Sequence, residues 1–411
     1  MSPRTRVRTC RTSTPSGTAR AGRAGRPARA AAVLAATLAL GLTAGTAVPA
    51  FAGSPTSAPA PRCRSTGALC DALSDLPNGD TTAALVRVGG TRGSLRGSAG
   101  VHDLASGRAA DPDARFRAGS VTKVFTAAVV LQLASEHRVD LDRSVRHYLP
   151  DLIPAAYRHV TVRQLLNHTS GLPSSDLPGD TEEEWYQHRF DLHTPQELVA
   201  SSVARKPLFA PGTQQKYDNI GYTVAGVLIE RITHDSYANE VTRRILRPLG
   251  LRGTSFPGAD PRIHGPHNHG YQVYQRPDGT SELRDVSVWG ATDTPASGDL
   301  ISTTADLERF TRALFRGHVV PEPQLEEMFT LPHLEKGEAE YSSGLSTVTL
   351  GGRRVWAKTG ARWGYDTVLA ATRDLSRTLV YSVNGTDAKG EEMNPTAMKI
   401  VVATFGTPSS D

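Results

Sequence analysis

The chain has 411 residues, 38% hydrophobic and 21% charged, a balance that suits a folded protein with a sizeable core and excludes disorder as its main state. The net charge of +5 arises at one end: residues 1–52 hold eight arginines and no acid, which leaves 38 basic against 41 acidic residues, or −3, for the rest. A nucleic-acid footprint is therefore excluded for the globular part.

Residues 1–52 read as a signal peptide. An Arg-rich stretch precedes an apolar run from Ala30 to about Ala44, and Pro49 then precedes Ala50-Phe51-Ala52, a small-x-small cleavage pattern. Cleavage there leaves Gly53 as the first residue of a secreted chain. No later segment reaches spanning length, so no membrane is expected after cleavage. Residues 53–80 form a linker, Ser/Pro/Ala-rich at first, that holds Cys63 and Cys70. In an oxidising compartment these two are expected to form a disulfide.

From Thr81 the pattern becomes globular. Ala83–Val88 predicts a strand, and Gly89-Gly90 turns the chain toward a second near Gly100-Val101. Val121 to about Ala134 is apolar almost all round, which predicts a buried helix. Helices are expected to dominate residues 141–299, as at Thr161–Asn167 and Tyr222–Ile232. Ser302-Thr303-Thr304 with Asp306 reads as a helix start. Strands return at Val355–Ala357, Thr367–Ala371 and Leu379–Val383, followed by a last helix over about Pro395–Thr404. Strands at both ends around a helical middle predict one sheet built from the two termini, with residues 81–140 and 300–411 forming the α/β part.

Three short motifs carry chemistry. Ser120-Val121-Thr122-Lys123 stands at the start of the buried helix, with serine and lysine on one helical face. Serine needs a base to take its proton, and a lysine in an apolar helix can serve because burial disfavours its charge. Tyr217-Asp218-Asn219 lies on a loop before a helix, where a phenol and an amide can point into one cleft. A second match, Tyr237-Ala238-Asn239, sits in a helical stretch and reads as structural. Lys358-Thr359-Gly360 follows a strand and can bind a carboxylate along its edge, the glycine admitting a substrate backbone.

The motifs occur in one order, about a hundred and then about a hundred and forty residues apart, the arrangement of the penicillin-recognising serine hydrolases. From Thr81 to Phe405 the chain resembles the secreted D-alanyl-D-alanine carboxypeptidases of actinomycetes, close kin of class C β-lactamases. The resemblance extends to Thr161–Leu172 (TVRQLLNHTSGL) and Ile301–Leu307 (ISTTADL). It implies an α/β (α+β) fold: a mainly antiparallel sheet with helices on both faces, beside an all-helical region. It implies that Ser120 is acylated and that Lys123 and Tyr217 share the base work. Asn219 then orients the acyl side chain, Lys358 and Thr359 hold the substrate carboxylate, Gly360 admits the substrate backbone, and the Ser120 and Ala361 N–H groups form the oxyanion hole. Peptidoglycan stem peptides or other D-amino-acid peptides are the implied substrates and β-lactams the implied covalent ligands, with no cofactor.

Some positions depart from the family. These carboxypeptidases often carry histidine where Lys358 stands and commonly threonine where Ala361 stands. Their arginine near the substrate carboxylate has no match around Ser346-Thr347, and Arg362 is the candidate to substitute for it. Trp289 either lines the cleft or belongs to the core. His264, His267 and His269 cluster without a His-Glu-x-x-His motif, so no metal is assigned. His168 reads as structural. A β-lactamase, an esterase or D-amino-acid peptidase on the same scaffold, and a non-catalytic peptidoglycan-binding protein are the alternatives.

Overall fold

The computed structural model describes residues 62–63, 67–91, 93–276 and 278–406. The stretch expected to be a signal peptide, and residues 53–61 and 64–66 of the expected linker, lie outside the described residues. Among the described residues the strands are β1 (Arg62–Cys63), β2 (Thr81–Gly89), β3 (Leu95–Gly100), β4 (Phe116–Arg117), β5 (Tyr271–Gln275), β6 (Ser281–Asp285), β7 (Ile301–Ser302), β8 (Ser346–Leu350), β9 (Arg353–Arg362), β10 (Tyr365–Thr372) and β11 (Thr378–Gly385). Seven of them form one antiparallel sheet in the order β1-β3-β2-β11-β10-β9-β8. The two ends of the chain meet at its centre, where β2 pairs with β11.

Side chains alternate between sheet faces, and both faces are covered. Leu85, Leu369 and Val380 point to the larger core with α1 (Thr122–Ser135), α2 (Ile220–Thr233) and α3 (Thr304–Phe315). Ala84, Val86, Val368 and Tyr381 point the other way, onto Leu69, Leu73 and the helix α4 (Pro395–Phe405). This double cover explains why β2 and β11 read as nearly unbroken apolar runs rather than alternating ones. The expected buried helix is α1, in which only Gln132 and Ser135 escape full burial. Phe125 on α1 stacks on Phe310 of α3 with ring centres 3.8 Å apart.

The helical region carries local start signals. Thr161 and Gln164 form a capping box at Val162–Leu166, and Thr194 and Glu197 form another at Pro195–Val203. Two expectations need correction. Residues 141–299 are not all helical, because β5 and β6 pair as a hairpin turning near Asp278-Gly279. Lys358-Thr359-Gly360 does not follow the strand but lies inside β9. Cys70 is disulfide-bonded. Cys63 sits on β1 opposite Gly97, and its side chain lies outside the described residues.

One edge of β9 positions the site. Strand β8 covers β9 only from Arg353 to Ala357, so Lys358 to Arg362 are uncovered on that side. Against the face of β9 at this end packs the 3₁₀ turn Gly119–Val121 that leads into α1. The fit requires glycine on both sides. A Cβ on Gly360 would lie 2.0 Å from the Ala118 carbonyl oxygen, and one on Gly119 would lie 2.7 Å from the Ala361 nitrogen. Gly119 also has φ +52°, which favours glycine. Gly360→Ala must therefore push strand and turn apart. Acylation by a fluorescent penicillin is expected to slow about 100-fold or more, the usual cost of misplacing reacting groups by about 1 Å. A labelling rate within about threefold of wild type would show that the strand edge yields.

Candidate active site

Ser120 occupies the middle of the Gly119–Val121 turn and is partly exposed. The turn is fastened from below. Thr122 Oγ1 donates to the Gly119 carbonyl at 2.7 Å and accepts from the Leu300 N–H at 3.0 Å, while the Ala118 N–H donates to the Leu300 carbonyl at 2.8 Å. Strands β4 and β7 pair just beside it, Arg117 opposite Ile301. Within the Ser-Val-Thr-Lys phrase, Thr122 thus anchors the turn and Ser120 stands above it.

Lys123 is fully buried. Its Nζ lies 3.1 Å from Ser120 Oγ, 2.7 Å from Asn219 Oδ1 and 2.8 Å from the Ser297 carbonyl oxygen. Burial holds its pKa well below the ordinary lysine value, and the charge of Lys358 lowers it further. The carbonyl of Ser297 belongs to a pinned turn. Successive carbonyls of Pro295, Ala296 and Ser297 accept hydrogen bonds from Thr223 on α2 and from Thr126 and Lys123 on α1. Ala296 adopts φ +58° there, and a Cβ on the adjacent Gly226 of α2 would strike the Ala296 methyl at 2.6 Å.

Tyr217 and Asn219 stand at the start of α2, whose first turn Asp218 caps by accepting from the Gly221 N–H at 2.7 Å. The Tyr217 ring lies beneath both lysines, with Lys123 Nζ 5.0 Å and Lys358 Nζ 4.8 Å from its centre. Its hydroxyl is buried and makes no hydrogen bond of ordinary geometry, although Ser120 is close enough to ease its ionisation. Burial dominates and pushes the phenol above its ordinary value. His168 packs on this ring at 4.6 Å and Tyr341 at 5.3 Å. Burial lowers the His168 pKa, and its Nδ1 accepts the Asp218 N–H at 3.3 Å, so it is a neutral wall of the site.

Lys358 is buried on β9, its Nζ donating to the Thr359 carbonyl at 2.9 Å. Burial alone brings its pKa down to about 7. Thr359 and Ala361 remain partly exposed on the uncovered edge. The Ala361 nitrogen lies 2.7 Å from where a Gly119 Cβ would stand, and the Ser120 nitrogen 3.0 Å from where a Gly360 Cβ would stand. Ser120, Lys123, Tyr217, Asn219, Lys358, Thr359, Gly360 and Ala361 therefore meet in one place. A hydroxyl beside a buried amine, two neighbouring main-chain nitrogens and a cationic strand edge form a set suited to acyl transfer.

Other expected site residues lie elsewhere. Arg362 does not reach toward a substrate carboxylate. It is buried, with both guanidinium nitrogens on Asp293 at 2.9 and 3.0 Å and further bonds to Thr294 Oγ1 and the Gly290 carbonyl. Trp289 belongs to a core cluster and stacks on Trp363 at 4.8 Å. Tyr237 is core on the helix Tyr237–Val241. His264 pairs with Asp260, His269 with Asp285, and His267 stacks on His269. Among the described residues, no group of three or more His, Cys, Asp and Glu is placed to hold a metal ion. The Ser297 carbonyl and the Arg362–Asp293 pair were not foreseen. A main-chain acceptor has no sequence signature, and Asp293 and Arg362 are 69 residues apart.

The family model described as Beta-lactamase matches residues 72–403. Penicillin-binding protein 4* of Bacillus subtilis (strain 168) is 28% identical over 298 residues, 70% of this chain and 64% of that protein. The chain spans less than two thirds of the length of such curated relatives. Among solved structures, a D-stereospecific amidohydrolase from Streptomyces sp. superposes with a TM-score of 0.69 at 33% identity, covering 79% of this chain and 94% of that one. The D-amino acid amidase from Ochrobactrum anthropi SV3 gives a TM-score of 0.65 at 23% identity over 79% and 92%, a likeness of fold.

Asp293 is held below its ordinary pKa because Arg362 more than offsets the burial that would raise it. Asp293→Asn leaves the guanidinium buried and unpaired, and such breaks cost about 3–5 kcal/mol. Urea unfolding should register that loss, and a change under about 1 kcal/mol would show the pair to be well solvated.

Proposed function

The chain belongs to the beta-lactamase family, and on that premise we propose that it is a secreted serine hydrolase that removes terminal D-alanine from D-alanyl-D-alanine-type peptides through a Ser120 acyl-enzyme. What supports this most is the hydrogen-bond set of Lys123. The Ser297 carbonyl can only accept, and Asn219 presents its amide oxygen. A neutral amine donates its two N–H groups to these, and its lone pair is left facing Ser120 Oγ.

In this scheme Ser120 Oγ attacks the penultimate carbonyl carbon as its proton passes to Lys123 Nζ. The oxyanion is held by the Ser120 and Ala361 N–H groups. The Tyr217 hydroxyl relays the proton to the leaving nitrogen, the C–N bond breaks and D-alanine departs. Water then attacks the ester by the reverse proton path. Lys358 and Thr359 hold the terminal carboxylate, and the exposed Asn219 amide orients the acyl side chain. The leader over residues 1–52 supports action outside the cell, where stem peptides and β-lactams are met.

A D-amino-acid amidase or peptidase is the second reading. It is favoured by the 33% identity to a D-stereospecific amidohydrolase, and by the commitment of Arg362 to Asp293, which leaves no arginine for a substrate carboxylate at that end of β9. A fast β-lactamase is less favoured. No asparagine in the chain has a glutamate four residues before it, so the class A route to a deacylating water is absent.

Ser120→Ala should abolish covalent labelling by a fluorescent penicillin while leaving unfolding cooperative; labelling of that variant at another serine would refute the nucleophile. Lys123→Arg keeps a cation that cannot release its proton at neutral pH, so acylation should fall by about 10³-fold or more. Near-normal acylation would move the base role to Tyr217. Lys358 is charged below about pH 7 and neutral above it. The kcat/KM for a diacyl-Lys-D-Ala-D-Ala peptide, which reports the free enzyme, should therefore decline as pH rises through that range. A matched ester without a carboxylate should show no such decline, and parallel profiles would separate Lys358 from carboxylate recognition.

A further inference from the structure

Beside the reacting edge, among the described residues, stands a cation that the proposed reaction does not use, Lys389. It is half-buried on the segment after β11, its Nζ donates to the Ala361 carbonyl at 3.2 Å, and it stands 5.9 Å from the centre of the Trp363 ring. Arg362, the nearest other cation at this end of β9, is neutralised by Asp293. Among the described residues no carboxylate comes within ion-pair distance of Lys389. Asp366, paired across the sheet with Ala361, has a buried Oδ2 without a partner, and burial raises its pKa to about 7. Asp293 and then Asp366 favour the charge of Lys389 while Arg362 opposes it, so its compensation is partial. Burial lowers Lys389 to about 8, which leaves it mostly charged at neutral pH.

The position of this charge follows from strand geometry. In an antiparallel hydrogen-bonded pair, two facing residues exchange both bonds, each giving its N–H to the carbonyl of the other. The N–H and C=O of one residue therefore point to the same side. The Ala361 nitrogen and oxygen both lie beside Gly119, whose Cβ would lie 2.7 Å from the nitrogen and 2.9 Å from the oxygen. A donor residue whose reacting carbonyl oxygen sits on the Ala361 N–H consequently brings its own α-nitrogen to the Ala361 carbonyl. That carbonyl oxygen is the atom Lys389 already touches. An acylated nitrogen arrives as a neutral N–H and can share the oxygen, which has two lone pairs. A free α-ammonium arrives as a second cation beside Lys389.

We propose that Lys389 sets the substrate class: the site accepts D-residues whose α-nitrogen is acylated, as inside a peptide, and rejects those with a free α-ammonium. This rests on the reading of Ser120 and Ala361 as nucleophile and oxyanion hole, and it is independent of whether a terminal carboxylate is recognised. The same site without Lys389 would suit amino-acid amides. One side chain thus separates a peptidase acting on chain ends from an amidase acting on single residues.

The test is a pair of substrates without a carboxylate, N-acetyl-D-alanine p-nitroanilide and D-alanine p-nitroanilide, assayed at pH 6.5 where the free amine is charged. Wild type should prefer the acetylated compound by about tenfold or more in kcat/KM, since like charges at hydrogen-bonding range are strongly unfavourable at an effective dielectric near 20. Lys389→Gln should reduce that ratio by about tenfold, chiefly by raising activity on the free amine, and Lys389→Arg should retain it. A wild-type preference for the free amine, or an unchanged ratio in Lys389→Gln, would overturn the proposal. Failure to cleave either anilide together with no penicillin labelling of Ser120 would instead overturn the acyl-enzyme reading beneath it.

Discussion

The site depends on how Lys123 is hydrogen-bonded. An ammonium buried in an apolar helix is costly unless every proton has a partner, and three oxygens supply three partners. Of these, the Ser297 carbonyl cannot return a proton and Asn219 presents its amide oxygen. Ser120 is thus the partner with which the amine can exchange. Burial weakens the charge and geometry chooses where the proton goes, so neither a surface Ser-x-x-Lys pair nor a buried lysine with flexible partners would be equivalent.

Holding those partners accounts for much of the surrounding structure. Asn219 is fixed by the capped start of α2. Ser297 is fixed by a turn whose three consecutive carbonyls are pinned to two helices. That turn is in turn tied to β9 through Asp293 and Thr294, which grip Arg362 one residue beyond Ala361. The lysine ligand and the proposed oxyanion donor are therefore parts of one braced unit. The brace carries a cost, because Arg362 is removed from direct contact with substrate and a buried ion pair is hard to alter piecemeal.

Much of this was legible in the sequence. Continuous apolar residues marked β2, β11 and α1 because these elements are covered on every side, and a local capping residue marked α3. The three motifs were legible because acyl transfer needs reactive side chains in recognisable company. Less legible were features made by the main chain or by distant partners. The Ser297 carbonyl leaves no mark, since any residue has one. Arg362 was correctly placed beside the site but misread in role, because its partner Asp293 arrives on a loop from another part of the fold. Trp289 fits a cleft or a core equally well as a residue type, and only the stacking on Trp363 decides. Strands β8 and β6 were missed because their side chains are mostly half-buried, so the apolar signal is weak.

The central pairing of β2 with β11 joins residues nearly three hundred positions apart. Such a sheet cannot close until almost the whole chain is present, and contacts this distant in sequence are slow to form. Ser120 and Lys123 come from the early part of the chain and Lys358 to Ala361 from the late part. A nascent chain stalled before β9 would hold a serine and a lysine with no strand edge beside them. The active centre therefore cannot be complete before β9 has left the ribosome, which ties its chemistry to a nearly finished chain.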